Sequence, residues 1–160
     1  LPLAAVLATQ ALYHAFLDDS RERALLHSHS YTGNPLACSA ALATLDIFEQ
    51  DQVLARNRHT AAKMGVLADA LRTHAHVADV RQAGMMVAFE LTRDGNRNTP
   101  FPATARIGLH AYRAALACGV VLRPLGDVVY WMPPYCVHDK QLALLACVTR
   151  AAIDEATACA

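Results

Sequence analysis

The run VADVRQAGMMVAFEL, Val77 to Leu91, decides how the second half of the chain folds. Val80 to Ala83, then Gly84, then the apolar residues up to Leu91 predict strand, glycine bend, strand, because β-branched and apolar residues flank one that tolerates a turn. Upstream, Asp51 is a candidate cap for a helix reaching about His74, with Leu54, Ala61, Met64, Leu67, Ala68 and Leu71 at helical spacing. Arg56, Arg58, Lys63 and Asp69 then form its solvated side. Downstream, Asp94 to Pro102 is a polar loop, and Ala103 to Cys118 predicts a helix that Gly119 ends. Val120 to Leu122 and Val128 to Met132 read as two short strands around Pro124-Leu125-Gly126-Asp127, the second stopped by Pro133-Pro134. His138-Asp139 opens a last helix to about Ala156, with Leu142, Leu145, Thr149 and Ile153 on its core side. Everything after about residue 75 is therefore expected to be a small α+β unit.

What precedes it is organised differently. Leu3 to Leu7 predicts a short buried strand, and Thr9 is a candidate N-cap for a helical turn through Phe16. Asn34-Pro35 is a helix-start signature, since Asn accepts from free backbone donors and Pro is preorganised for the first helical position. That helix is expected from Pro35 to about Glu49. One strand and two long helices without a sheet of their own bury themselves poorly, so their cover is expected upstream or in a second subunit. The opening LPLAAVLATQ has no methionine and no basic n-region, so it reads as a strand entered partway and the chain as a fragment.

With 160 residues, 54% hydrophobic and 18% charged, the composition is that of a soluble globular protein and argues against disorder. Fourteen basic residues balance fourteen acidic ones without a basic stripe, so nothing points to nucleic acid or an anionic membrane. The apolar runs are too short to span a bilayer. Cys38, Cys118, Cys136, Cys147 and Cys159 form no CxxC pair, and they read as buried free thiols in a reducing cytosol.

Two segments carry candidate chemistry. In His27-Ser28-His29-Ser30-Tyr31-Thr32-Gly33-Asn34-Pro35, hydroxyls and backbone N–H groups precede a helix N-terminus, a combination that suits a phosphate. On spacing alone such a run is more often an ordinary capped loop. His27 and His29 have no third ligand at convincing spacing, so no metal site is expected. Arg123 follows an apolar strand and precedes a Pro/Gly turn, where its guanidinium suits either a substrate carboxylate or a structural salt bridge. Tyr130, Trp131, Met132 and Tyr135 read by default as core or interface packing.

Taken together, HSHSYTGNPLACSAAL (His27 to Leu42) and RPLGDVVYWMPPY (Arg123 to Tyr135) resemble the class III, or ornithine/GABA-type, pyridoxal-phosphate-dependent aminotransferases. The likeness extends over essentially the whole chain. The YxMPPY ending, Tyr130 to Tyr135, resembles the branch of the family that serves biotin synthesis. The resemblance implies an α/β chain: the end of a large fold-type I domain over 1–75 and the small C-terminal α+β domain over 76–160. It implies pyridoxal 5'-phosphate as cofactor and a cytoplasmic homodimer with active sites at the subunit interface. The implied reaction moves an amino group from S-adenosylmethionine to 8-amino-7-oxononanoate.

By the same resemblance, Ser30 occupies the position whose hydroxyl and N–H bind the cofactor phosphate, and His29 contributes backbone beside it. Ser28 matches a position near the substrate, and Arg123 the arginine that pairs with the keto substrate's carboxylate. Many relatives have Gly-Pro-Thr where this chain has Ser28-His29-Ser30, an exchange that keeps the hydroxyl at the last position. The Schiff-base lysine is expected upstream of Leu1, since the chain's lysines, Lys63 and Lys140, match neither the place nor the context. The 160 residues alone are therefore expected to be inactive. Alternatives are another class III aminotransferase, acting on ornithine, acetylornithine or a γ-amino acid, and a non-catalytic truncated module.

Overall fold

Glycine at 84 turns the chain back on itself. In the computed structural model, which describes residues 1–158, β1 (Val77–Ala83) and β2 (Met86–Leu91) pair antiparallel, with Ala83 opposite Met86. Gly84 has φ +54 at the first position of the two-residue loop, the glycine position of a tight hairpin. β4 (Val128–Trp131) pairs antiparallel with β2, and β3 (Arg123–Leu125) with β4, giving the order β1-β2-β4-β3. Alternation sorts the side chains: Val87, Phe89, Leu91, Val129 and Trp131 are buried on one face, while Ala88, Glu90, Val128 and Tyr130 are only partly covered.

Three helices cover the buried face: α3 (Val53–Asp69), α4 (Ile107–Ala117) and α5 (Asp139–Ala158). Leu142, Leu145, Thr149 and Ile153 are buried along α5 as the periodicity requires. At the core's centre, Trp131 meets Phe89 edge to face, with centroids 4.9 Å apart. Its indole N–H donates to Thr149 Oγ1 at 2.8 Å, and that hydroxyl donates to the Leu145 carbonyl at 2.6 Å. Both buried polar groups are thereby satisfied.

The chain divides into two compact units, Leu1–Gln52 and Val53–Ala160, so α3 belongs with the sheet it packs on. In the first unit, α1 (Gln10–His14) starts at Thr9, whose Oγ1 accepts from Leu12 N at 3.3 Å. α2 (Pro35–Gln50) follows Asn34 as expected. The strand expected over Leu3 to Leu7 does not form: those residues are irregular and exposed. All four strands of the described residues lie between Val77 and Trp131, so this stretch has no ladder to join.

Other boundaries also shift. α3 ends at Asp69 rather than His74, because bonds from Leu71 N to Ala68 O and Arg72 N to Asp69 O tighten the last turn. His74 is then pinned: its Nε2 lies 2.9 Å from Asp154 Oδ1, and its Nδ1 accepts from His76 N. The helix expected from Ala103 begins at Ile107, since Ala103–Ala105 is a 3-10 turn and Arg106 takes φ +47. Gly119 ends it with φ +77, and Val120 N reaches back to Ala115 O. The strand expected at Val120 to Leu122 forms instead at Arg123–Leu125. β3 lies at the sheet's edge, where Pro124 needs no N–H. The thiols are not buried either: Cys118, Cys136 and Cys147 are exposed and Cys38 is half-buried, all free, while Cys159 lies outside the described residues.

Gly108, in the first turn of α4, faces the Gly126 backbone carbonyl so closely that a Cβ there would overlap its oxygen. Its N–H also bonds the Asp127 carboxylate, whose pKa burial raises and this bond partly lowers. Gly108→Ala is expected to destabilise the unit by about 1–3 kcal/mol, since a backbone oxygen cannot swing aside. A lowered denaturant midpoint would register it.

Candidate active site

Both segments singled out in the sequence are preformed, one in each unit. In the first, a polar run ahead of a helix folds on itself. Thr32 Oγ1 accepts from His29 N at 2.9 Å, and Thr32 N returns a bond to His29 O at 2.9 Å. Asn34 N bonds the Tyr31 carbonyl, and Gly33 supplies the left-handed residue with φ +71. The His29 and Tyr31 rings stack at 5.3 Å and 4°. His27 lies 5.6 Å from His29, centroid to centroid, and no group of three metal-ligating side chains occurs among the described residues.

The donors are unequally available. Asn34 Oδ1 accepts from Leu36 N at 2.9 Å and Ala37 N at 3.2 Å, so the first free N–H groups of α2 are already capped. His29 N is committed to Thr32. The hydroxyls of Ser28 and Ser30 and the backbone N–H of Ser30 have no partner among the described residues, and the segment is exposed. An anion would find these donors together with the positive end of the α2 dipole. Thr32, which holds the turn, was not singled out from the sequence. A hydroxyl two residues before an Asn-Pro helix start is the signal that could have marked it.

In the second unit, β3 opens on Arg123, which is exposed. It pairs with no carboxylate among the described residues. Its guanidinium carbon lies 5.7 Å from the Tyr130 ring centroid. Among the described residues, Arg123 is the one charged residue around an open groove of about 410 Å³ whose other walls include Val121, Met132, Pro133 and Leu144. An arginine whose guanidinium has no hydrogen-bond partner among the described residues, beside apolar surface, suits a carboxylate carried on an apolar chain. Of the four aromatic and Met residues after it, Trp131 alone is core; Met132 and Tyr135 are exposed and Tyr130 is partly so.

The two lysines differ in their surroundings. Lys63 Nζ contacts both carboxylate oxygens of Asp139, at 2.8 and 2.7 Å, and this bond holds the Asp139 carboxyl below its ordinary pKa. Lys140 sits exposed in the first turn of α5.

Residues 1–153 match the family described as aminotransferase class-III. Among curated proteins, the adenosylmethionine-8-amino-7-oxononanoate aminotransferase of Anoxybacillus flavithermus is 39% identical over 158 residues, 98% of this chain and 35% of that protein. The protein of the same name from Geobacter sulfurreducens is 42% identical over 146 residues, 91% of this chain and 32% of its own length. Of solved structures, the Methanocaldococcus jannaschii enzyme of that name superposes with TM-score 0.85 at 36% identity, covering 92% of this chain and 34% of its own. A PMP-bound aminotransferase from Vibrio fluvialis shares the fold at TM-score 0.79 and 22% identity, over 84% of this chain and 30% of its own. The chain thus spans about a third of the length of the relatives it matches.

Proposed function

Because the chain belongs to the class III aminotransferase family, we propose that it works as the C-terminal third of an enzyme moving an amino group from S-adenosylmethionine to 8-amino-7-oxononanoate, yielding 7,8-diaminononanoate. The observation that carries this reading is Arg123: a guanidinium at a strand end, without a carboxylate partner among the described residues, in a chain similar along nearly its whole length to enzymes of that name. We assign 1–75 to the end of the large domain and 76–160 to the small one, with α3 as the linking helix that packs on the small domain's sheet.

The cofactor of the family is pyridoxal phosphate, and the loop fits its phosphate in part: Ser30 offers a hydroxyl and an N–H, while His29 shapes the turn through Thr32. When bound, the cofactor supplies the electron sink for amino transfer. Ser30 would hold the phosphate through its hydroxyl and N–H, and Ser28 would lie near the substrate. Arg123 takes the keto acid's carboxylate through two parallel N–H donors and so fixes which end of the chain faces the reaction. The lysine needed for proton transfer is supplied by neither Lys63 nor Lys140, so the 160 residues alone are inactive.

The active unit is a homodimer with its sites at the subunit interface. Leu36, Leu42, Leu45 and Ile47 of α2 are exposed, and such apolar surface needs cover from the rest of the large domain and the second subunit. A cytoplasmic location is supported by the free thiols of Cys38, Cys118, Cys136 and Cys147. No helix of the described residues is long and apolar enough to cross a membrane.

Ser30→Ala is expected to weaken cofactor binding about 10- to 100-fold, the effect of losing one hydrogen bond to a charged group, with Ser30→Thr restoring it. Titration of the apoenzyme with pyridoxal phosphate reads this. The donor is tested by mixing the full-length enzyme with single amines. S-adenosylmethionine should discharge the cofactor's visible band and ornithine, acetylornithine and 4-aminobutyrate should not; the reverse pattern would assign a different member of the family.

A further inference from the structure

Arg123 and Tyr130 stand directly opposite each other across β3 and β4. The alternation that buries Val129 and Trp131 turns Tyr130 to the outer side of the sheet, and there its ring meets the Arg123 guanidinium at 5.7 Å, within cation–π range. On the same cross-strand row, through Ala88, lies Arg81, whose Nη1 is committed to Glu90 at 2.6 Å and Asp79 at 3.0 Å. The two arginines are thus held by opposite means. A carboxylate restrains a guanidinium by occupying its donors. An aromatic ring restrains it through its π face and occupies none of them.

We propose that Tyr130 is a positioning residue for Arg123: its ring holds the guanidinium by contact and leaves the N–H fork open for the carboxylate of the keto acid. The role deepens the reading of Arg123 as the carboxylate anchor and rests on it. An exposed arginine side chain samples many rotamers, a freedom that a substrate would otherwise have to quench on binding. The ring removes part of that freedom beforehand. The hydroxyl has no part in this, so the ring alone is required.

The test compares 8-amino-7-oxononanoate with its methyl ester in the full-length enzyme. Tyr130→Val is expected to raise KM for the acid about 5- to 20-fold, in the range of a cation–π contact, with kcat and the KM for the ester little changed. Tyr130→Leu serves if valine disturbs folding. Tyr130→Phe should behave as the parent, and in an Arg123→Ala background Tyr130→Val should add nothing. An equal loss for acid and ester would make Tyr130 merely structural and overturn the proposal. A loss in Tyr130→Phe would overturn it too, since the hydroxyl would then be the active group. If Arg123→Ala itself leaves the preference for acid over ester intact, the anchor reading fails. If Arg123→Ala abolishes that preference and Tyr130→Val does not touch it, the Tyr130 role alone fails.

Discussion

Replacing Arg123 with alanine in the full-length enzyme is expected to lower kcat/KM for 8-amino-7-oxononanoate about 30- to 1,000-fold, the effect of removing one partner from a hydrogen-bonded charge pair. The side chain is exposed and unpaired among the described residues, so its removal strands no protein carboxylate and disturbs no core contact. The loss therefore falls on substrate recognition. Arg123→Lys should recover only part of it, because an ammonium keeps the charge and loses the planar two-donor fork. The methyl ester, which offers no negative charge, should react with parent and variant at similar rates. Steady-state kinetics with both substrates reads all of this. An Arg123→Ala enzyme within a few-fold of the parent on the acid would remove Arg123 from the site.

The second large effect lies in the core. Trp131 is 1% exposed, packs edge to face on Phe89 and donates to Thr149. Trp131→Ala is expected to destabilise the sheet unit by about 3–5 kcal/mol, through lost burial and the cavity left beneath α5. Thr149 loses a donor but keeps its own bond to Leu145, so the damage is mainly packing. Hydrogen exchange at the amides of Val87 and Phe89, opposite Trp131 and Val129 in the ladder, should quicken about 10²- to 10³-fold if they open with the unit. Unchanged exchange there would mean that Trp131 is not central to this core.

Much of the second unit was legible because each signal is local. Gly84 between two alternating runs required a hairpin, Gly119 required a helix end, and the spacing of Leu142, Leu145, Thr149 and Ile153 named the buried side of α5. Asn34-Pro35 marked the start of α2 for the same reason. What escaped depends on tertiary neighbours. A strand at Leu3 to Leu7 needs a partner strand, and none lies in its unit. The exact place of β3 follows from pairing with β4, which lets Pro124 sit at an edge. The end of α3 is set by Leu71 sinking into the core and by His74 meeting Asp154. The thiols were misplaced because Cys118 stands just past α4 and Cys147 on the outer side of α5, positions that an apolar context does not distinguish from core.

The candidate site divides along the same line. The loop around Ser28, His29 and Ser30 and the place of Arg123 at a strand end could be read from residue type and turn chemistry. That Asn34 consumes the first donors of α2, leaving Ser30 as the main one, needed the geometry. So did Tyr130: strand alternation puts Val129 and Trp131 inside and leaves Tyr130 outside, but only the register shows it opposite Arg123.

The most direct measurement is product formation by the full-length enzyme with pyridoxal phosphate, S-adenosylmethionine and 8-amino-7-oxononanoate, followed by mass spectrometry. Accumulation of 7,8-diaminononanoate over many turnovers, dependent on S-adenosylmethionine, is the result predicted. No diamine with this donor, alongside turnover of ornithine, acetylornithine or a γ-amino acid with another keto acid, would contradict it.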